Sequence, residues 1–368
     1  MRILLFTDEM LPGGVARHVT ELANGLSERG LSVHVAATWG PFANRLRQEV
    51  AFSNVPLMKV GSYRKNALGA LETWGRLRQL MRQGNFDLVH THKRYSDFLG
   101  RILTRLFKKP HVSTCHNTFE RGRWYSPFGD HTIAVSEAIR GMLVKRFAKR
   151  DDSVTVILNG IPPLRALTQS RVKHLHHRFG IAAHTPVILC VGQFIPAKGH
   201  STLIEALRIL DRQEPRRRWS CVLAGHGELR AVIEAKIHDD CLKSRITIVD
   251  GTEDLENLFA LADFGVLPSV RDGGIPYTIM EGASLKKPFI ASCVGGVPEF
   301  IEHEINGILV PANDSSALAD RIEYLLRNPR KVRIMGQYAL EHYVRHHSTN
   351  VFVDQTIAVY DRALQTGL

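Results

Sequence analysis

The sequence predicts an α/β protein built from two doubly wound parallel-sheet domains, and three observations carry that prediction. The chain has 368 residues, a length that suits about two domains of ~100–200 residues. Short apolar β-like runs alternate with helical patterns along its length, the order that builds parallel sheets covered on both faces. The alternation breaks at Asn159-Gly160-Ile161-Pro162-Pro163, where Asn-Gly and Pro-Pro signal a turn and linker. A first domain over residues 1–163 and a second over 164–345 are expected.

In the first half the strands are read at residues 3–7, 32–37, 87–92, 111–116, 132–135 and 154–158. Between the first two, Val15, Val19, Leu22, Ala23 and Leu26 recur at helical spacing, and Gly30 ends that helix. Past the linker, His174, His176 and His177 lie in a basic stretch with neither HxxxH spacing nor an acidic partner. That stretch reads as a solvated helix rather than a metal site. The second half repeats the pattern, with strands at 187–191, 221–224, 245–249, 264–267, 288–292 and 307–310. Helical stretches at 202–212 and 255–262 fall between them, and residues 350–360 again show helical apolar spacing. Ligands of open α/β sheets sit beyond the carboxyl ends of the strands, so two facing sheets would place a substrate cleft between the domains.

Composition narrows the class. A hydrophobic fraction of 44% and a charged fraction of 23% are ordinary for a soluble globular protein. The sequence contains no apolar run of about 18 residues. Met1-Arg2-Ile3-Leu4-Leu5-Phe6-Thr7-Asp8 turns acidic too soon for a signal peptide and reads as the first strand. The five cysteines are scattered without CxxC spacing, which fits a reducing cytosol. Cys115, Cys190, Cys221 and Cys293 lie in strand-like segments, where free cysteine acts as a small hydrophobe.

The net charge of +12 falls in the first half: residues 1–170 hold 25 Lys+Arg against 13 Asp+Glu. Such a field attracts nucleic acid, an anionic membrane or a phosphorylated substrate. Segments 74–82 and 101–109 interleave basic and apolar residues. They read either as helices lying in a membrane interface or as sheet-covering helices with a wet basic face.

The most informative motif is Gly273-Gly274-Ile275-Pro276-Tyr277-Thr278-Ile279-Met280-Glu281, after the strand at 264–267. Two glycines permit close backbone approach to a ligand, and Pro276 suits the first turn of a helix. Amides at a helix start favour a phosphate. Glu281 lies one turn beyond Tyr277 on the same face, where a carboxylate can accept hydrogen bonds from a ribose. The pattern points to a nucleotide-diphosphate site.

Other loops follow strand ends in the same way. Pro12-Gly13-Gly14-Val15-Ala16-Arg17-His18 suits a phosphate or sugar but lacks G-x-G-x-x-G spacing. Gly192-Gln193-Phe194-Ile195-Pro196-Ala197-Lys198-Gly199 offers a lysine to neutralise a departing diphosphate. Gly225 and His226 after one strand, and Thr252 and Leu255 after the next, are placed to line a base and ribose.

In order, these motifs resemble the retaining glycosyltransferases of the GT-B fold, specifically glycosyltransferase family 4 (glycosyl transferases group 1). The likeness also takes in Asp87-Leu88-Val89-His90-Thr91-His92, Thr114-Cys115-His116-Asn117, Ala134-Val135-Ser136-Glu137 and Leu158-Asn159-Gly160-Ile161. It extends to Gly295-Gly296-Val297-Pro298-Glu299 and Asn306-Gly307-Ile308-Leu309-Val310.

The resemblance implies two Rossmann-like domains, with the last helix, about 346–368, returning to the first. The first domain would bind the acceptor through Gly13, Arg17, Lys93, Arg94 and Asn117. The second would bind a UDP- or GDP-type sugar, with Lys198 on the diphosphate, Glu281 on the ribose, and the amides of Tyr277 and Thr278 on the phosphates. Gly14, Gln193, Gly199, Gly274, Ile275 and Pro276 complete the donor site, and His116 would lie near the transferred sugar.

Two positions depart from the family pattern. Gly273 stands where the family has a second glutamate, with Asp272 adjacent, and Gln193 stands where it has an arginine. The expectation is a retaining, hexosyltransferase-type enzyme needing no metal or cofactor and acting on a glycan or lipid-linked acceptor. Its setting would be polysaccharide or lipopolysaccharide assembly, in the cytoplasm or at the cytoplasmic face of the inner membrane. The alternatives are a catalytically degenerate GT-B protein, a sugar-nucleotide epimerase, or a nucleic-acid-binding protein. The last lacks any basic–aromatic recognition motif in the sequence.

Overall fold

A computed structural model describes residues 1–10, 13–38, 57–60, 67–119, 126–238, 242–250 and 254–366. The chain divides into two compact units, Met1–Pro162 with His346–Leu368, and Pro163–Arg345.

In the first unit β1 (Arg2–Glu9), α1 (Gly14–Glu28), β2 (Ser32–Thr38), β3 (Leu57–Val60), α2 (Ala67–Gly84), β4 (Leu88–His92) and α3 (Arg94–Phe107) follow in order. Then come β5 (His111–Cys115), β6 (His131–Ala134), α4 (Glu137–Lys145) and β7 (Val154–Val156). The sheet order is β3-β2-β1-β4-β5-β6-β7, and every pair is parallel. The sheet has seven strands where six were expected; the addition is β3, a four-residue edge strand.

One face of this sheet is covered by α1 and the C-terminal helix Thr349–Thr366, which share a core with Ile3, Leu5, Val35 and Leu88. Gly25 of α1 has no room for a Cβ, which would overlap the Val353 side chain. The other face buries Leu77, Leu80 and Met81 of α2 and Leu99 and Leu103 of α3 against Leu4, Phe6 and Val89. Burial on both faces explains why β4 and β5 are buried along their whole length.

The second unit contains α5 (Gln169–Arg178), β8 (Val187–Val191), α6 (His200–Gln213), β9 (Ser220–Gly225), α7 (Arg230–His238), β10 (Ile246–Asp250) and α8 (Leu255–Leu261). It continues with β11 (Phe264–Leu267), α9 (Tyr277–Ser284), β12 (Phe289–Ser292), α10 (Val297–Phe300), β13 (Gly307–Val310), α11 (Ser315–Arg327) and α12 (Pro329–His346). The order β10-β9-β8-β11-β12-β13 is fully parallel.

Both sheets reverse winding direction beside their first strand, between β1 and β4 and between β8 and β11. Those are the switch points where ligands of doubly wound sheets bind. Among the described residues, no helix is long and apolar enough to cross a membrane.

Two local expectations change. Cys293 is exposed just past β12 rather than buried in it. Pro276 is the N-cap of α9, with ψ at 134°, rather than part of its first turn.

Candidate active site

In the second unit the loops after β8, β9 and β11 are locked together through their backbones. Phe194 N donates to His226 O at 2.8 Å, and Leu229 N donates to Phe194 O at 2.9 Å. A Cβ on Gly225 would overlap the Gly192 carbonyl, so glycine is required where these loops cross. Gln193 and His226 remain exposed on them.

After β8 a 3₁₀ turn, Pro196–Lys198, ends at Gly199 with φ at 65°. A Cβ on Gly199 would overlap the Pro268 carbonyl oxygen, and Val270 N donates to Ala197 O at 2.9 Å. The turn is thereby fixed to the exit of β11. This delivers Lys198 to Asp272: Nζ donates to Oδ1 at 2.5 Å, with the side chains 21% and 13% exposed. The other carboxylate oxygen, Oδ2, is buried with no hydrogen-bond partner among the described residues. Burial, with the Lys198 charge adding to it, holds the nearby His200 imidazole down, to a pKa of about 4.

Asp272 opens the loop Gly273-Gly274-Ile275-Pro276 into α9. Gly295 and Gly296 press against its backbone, where side chains at either position would collide with Asp272 and Gly274. Thr278 Oγ1 donates to Val191 O at 3.4 Å, which sets the start of α9 beside the end of β8. Glu281, one turn in, is 2% exposed. Leu255 opens α8 behind an Asp254 N-cap, whereas Thr252 lies outside the described residues. The second switch point therefore gathers a lysine, a carboxylate and a helix start, which suits an anion and hydroxyl groups.

In the first unit a cavity of about 580 Å³ lies at the ends of β4 and β5. Lys93, Arg94, His116 and Asn117 line it, together with Asp8, Asp97, Tyr95, Phe98, Phe119 and Phe128. Of the expected acceptor residues, Gly13 and Arg17 are not among those lining it; Arg17 instead pairs with Glu21 on α1 at 3.4 Å. Lys93 N-caps α3 in the left-handed region, φ 76°, a conformation costly for a residue with a side chain. Arg94 Nε donates to Ser126 Oγ at 2.6 Å and lies over the Phe119 ring at 4.6 Å. Burial raises the Asp97 carboxyl well above its usual range, and Thr91 Oγ1 donates to it.

A group not anticipated from the sequence adjoins the cavity. His18 of α1, His92 at the end of β4 and His116 after β5 each bring one ring nitrogen within 4.8 Å of the other two. His18 Nδ1 lies 2.9 Å from Asn159 Oδ1, and His92 Nδ1 lies 3.2 Å from His116 Nε2. Burial, reinforced by neighbouring positive charge, keeps His92 and His116 well below the usual histidine range; burial takes His18 to about 4. His90 behind them is satisfied by Tyr360 Oη and Thr114 Oγ1, each at 2.7 Å. Only the parallel topology unites residues 18, 92 and 116.

Two doubly wound parallel sheets in one chain match the GT-B fold of solved glycosyltransferases. Residues 12–165 match the family described as Glycosyltransferase Family 4, and residues 173–342 match Glycosyl transferases group 1. The chain belongs to this family and is a glycosyltransferase of the group 1, family 4 type.

An uncharacterised glycosyltransferase of Methanocaldococcus jannaschii is 26% identical over 90% of this chain and 93% of its own. The D-inositol 3-phosphate glycosyltransferase of Saccharomonospora viridis is 25% identical over 96% of this chain and 90% of its own. The crystal structure of HepE of Anabaena in complex with UDP shares the fold, with a TM-score of 0.85 at 21% identity, over 98% of this chain and 100% of that one.

Proposed function

We propose that the protein transfers a sugar from a nucleotide diphosphate to a phosphate-bearing lipid-linked or glycan acceptor, with retention at the anomeric carbon. The observation that carries this reading is the Lys198–Asp272 pair at the second switch point, beside the start of α9. The lysine and the α9 amides stabilise the leaving diphosphate. Asp272, adjacent to Gly273, supplies the carboxylate for donor-sugar hydroxyls through its unpaired Oδ2. Glu281 holds the ribose. Gly14, Gln193, Gly225, His226 and Leu255 belong to the donor-binding set, and His116 orients the transferred sugar. The leaving phosphate itself takes the acceptor proton, so this reaction uses no metal and no enzyme-bound covalent sugar.

The acceptor fits the cavity of the first unit, with its phosphate on Lys93 and Arg94, Asn117 on a hydroxyl, and its apolar part among Phe98, Phe119 and Phe128. The similar enzyme named for D-inositol 3-phosphate supports an anionic acceptor. Phe98, Ile102 and Leu106 form an outward stripe on α3, 43%, 42% and 52% exposed, beside Arg101, Arg105, Lys108 and Lys109. A basic helix with an exposed apolar stripe seats on an anionic bilayer, consistent with work at the cytoplasmic face of the inner membrane. The setting that the family implies is cell-envelope polysaccharide or lipopolysaccharide assembly.

The test is thermal unfolding against UDP, GDP and their sugars. UDP-glucose comes first, because HepE has been crystallised with it. A ligand of the native state raises the melting temperature. A rise with one nucleotide, larger with one of its sugars, supports the reading; no rise with any of them favours a degenerate copy.

A further inference from the structure

We propose that His18, His92 and His116 form a three-nitrogen site for a borderline divalent transition ion such as Zn²⁺, at the inner edge of the first unit's cavity. The three rings meet at centroid distances of 5.2, 4.6 and 5.5 Å. Their nitrogens already lie within 4.8 Å of one another, although they come from α1, β4 and the segment after β5.

The hydrogen bond to His18 fixes its tautomer. An amide oxygen only accepts, so Nδ1 carries the hydrogen and donates to Asn159 Oδ1. Nε2 is left with a lone pair, fully buried and without a partner among the described residues. A ligand histidine whose second nitrogen donates to a carbonyl oxygen is the usual oriented arrangement around zinc. His92 Nε2 is likewise buried without a partner among the described residues. The buried, unpartnered His18 Nε2 is costly unless something fills the place between the rings.

The donor set selects the ion. Three imidazoles suit Zn²⁺, Co²⁺ or Ni²⁺, whereas Mg²⁺ and Ca²⁺ require oxygen ligands. The site is therefore distinct from any magnesium carried by a nucleotide. His90 is excluded because both its ring nitrogens are already paired. The fourth position falls to solvent or a cavity ligand, since His116 lines the cavity while His18 and His92 are closed behind it. Binding exchanges the His92–His116 hydrogen bond for bonds to the ion. The consequence for transfer rests on the role proposed above for His116: an ion that holds this imidazole withdraws it from the sugar, and zinc then inhibits.

Cobalt titration of tag-free protein, without any nucleotide or acceptor, tests the site independently of activity. The expected result is one equivalent of Co²⁺ giving an intense visible ligand-field band of low coordination number, displaced by Zn²⁺ and not by Mg²⁺. His116→Gln, at the most exposed ligand, and His92→Gln should each weaken binding at least tenfold. Metal-free melting of these variants establishes that they fold. His174→Gln/His176→Gln/His177→Gln on α5 should leave the band unchanged. No band in the wild type, a band that Mg²⁺ displaces, or equal affinity in folded His116→Gln and His92→Gln overturns the site.

Discussion

The chemistry of the donor site is concentrated in one side chain. Lys198 has a defined place because Gly199 alone fits the turn against Pro268, and its charge is countered by Asp272. Lys198→Ala removes the cation that faces a leaving diphosphate, so turnover should fall about 10²–10³-fold, the loss expected for one donor aimed at developing charge. Circular dichroism should be unchanged; turnover near the wild-type level in a folded variant would refute the role. The lysine was legible as a charge in a loop between a strand and a helix. Its pairing was not, because Lys198 and Asp272 are 74 positions apart and meet only when β8 and β11 lie side by side. The histidines show the same limit. Each sits in a motif that the sequence exposes, yet His18 and His92 acquire a meaning only from the strand order.

At the scale of elements, most strands were readable because burial on both faces makes them short apolar runs bounded by loops. The strand that escaped, β3, has four residues and lies at a sheet edge, too short for any periodicity to register. The glycine-rich loops were readable as turns, but not as interlocked. The contact of Gly225 with Gly192 and of Gly295 with Asp272 is backbone against backbone and leaves no side-chain pattern.

The two basic segments end differently. In α2 the apolar residues Leu77, Leu80 and Met81 are buried, as in a helix that covers a sheet. In α3 Leu99 and Leu103 are buried while Phe98, Ile102 and Leu106 face outward. Ile102→Glu with Leu106→Glu should therefore reduce flotation with anionic vesicles several-fold without unfolding the protein. Unchanged flotation would remove α3 from the membrane contact.

For the whole molecule the buried histidines set an acid limit. Unfolded, each binds a proton near pH 6.5; folded, His18 does so only near 4 and His111 near 3, in both cases chiefly through burial. Between those values the unfolded chain holds more protons, so stability falls as pH drops below about 6.5 and levels off near the folded pKa. The cost is roughly 1.4 kcal/mol per histidine for each pH unit in that window. Urea unfolding at pH 7.5 and pH 5.5 should show a clear loss at the lower value; equal midpoints would mean that these imidazoles are not held neutral.

The C-terminal helix carries a further consequence, for the order in which the chain is made. Phe352, Val353 and Tyr360 belong to the core around β1 and α1, yet the whole of Pro163–Arg345 is synthesised before them. At roughly 5–20 residues per second that interval lasts about 10–40 s on the ribosome. Throughout it the nascent first unit lacks the side chains of Val353 and Phe352 that pack on Gly25 and His18 of α1, and His90 waits for the Tyr360 hydroxyl. The second unit, continuous in sequence, can close first, so the part of the protein that begins emerging earliest is the part that finishes folding last.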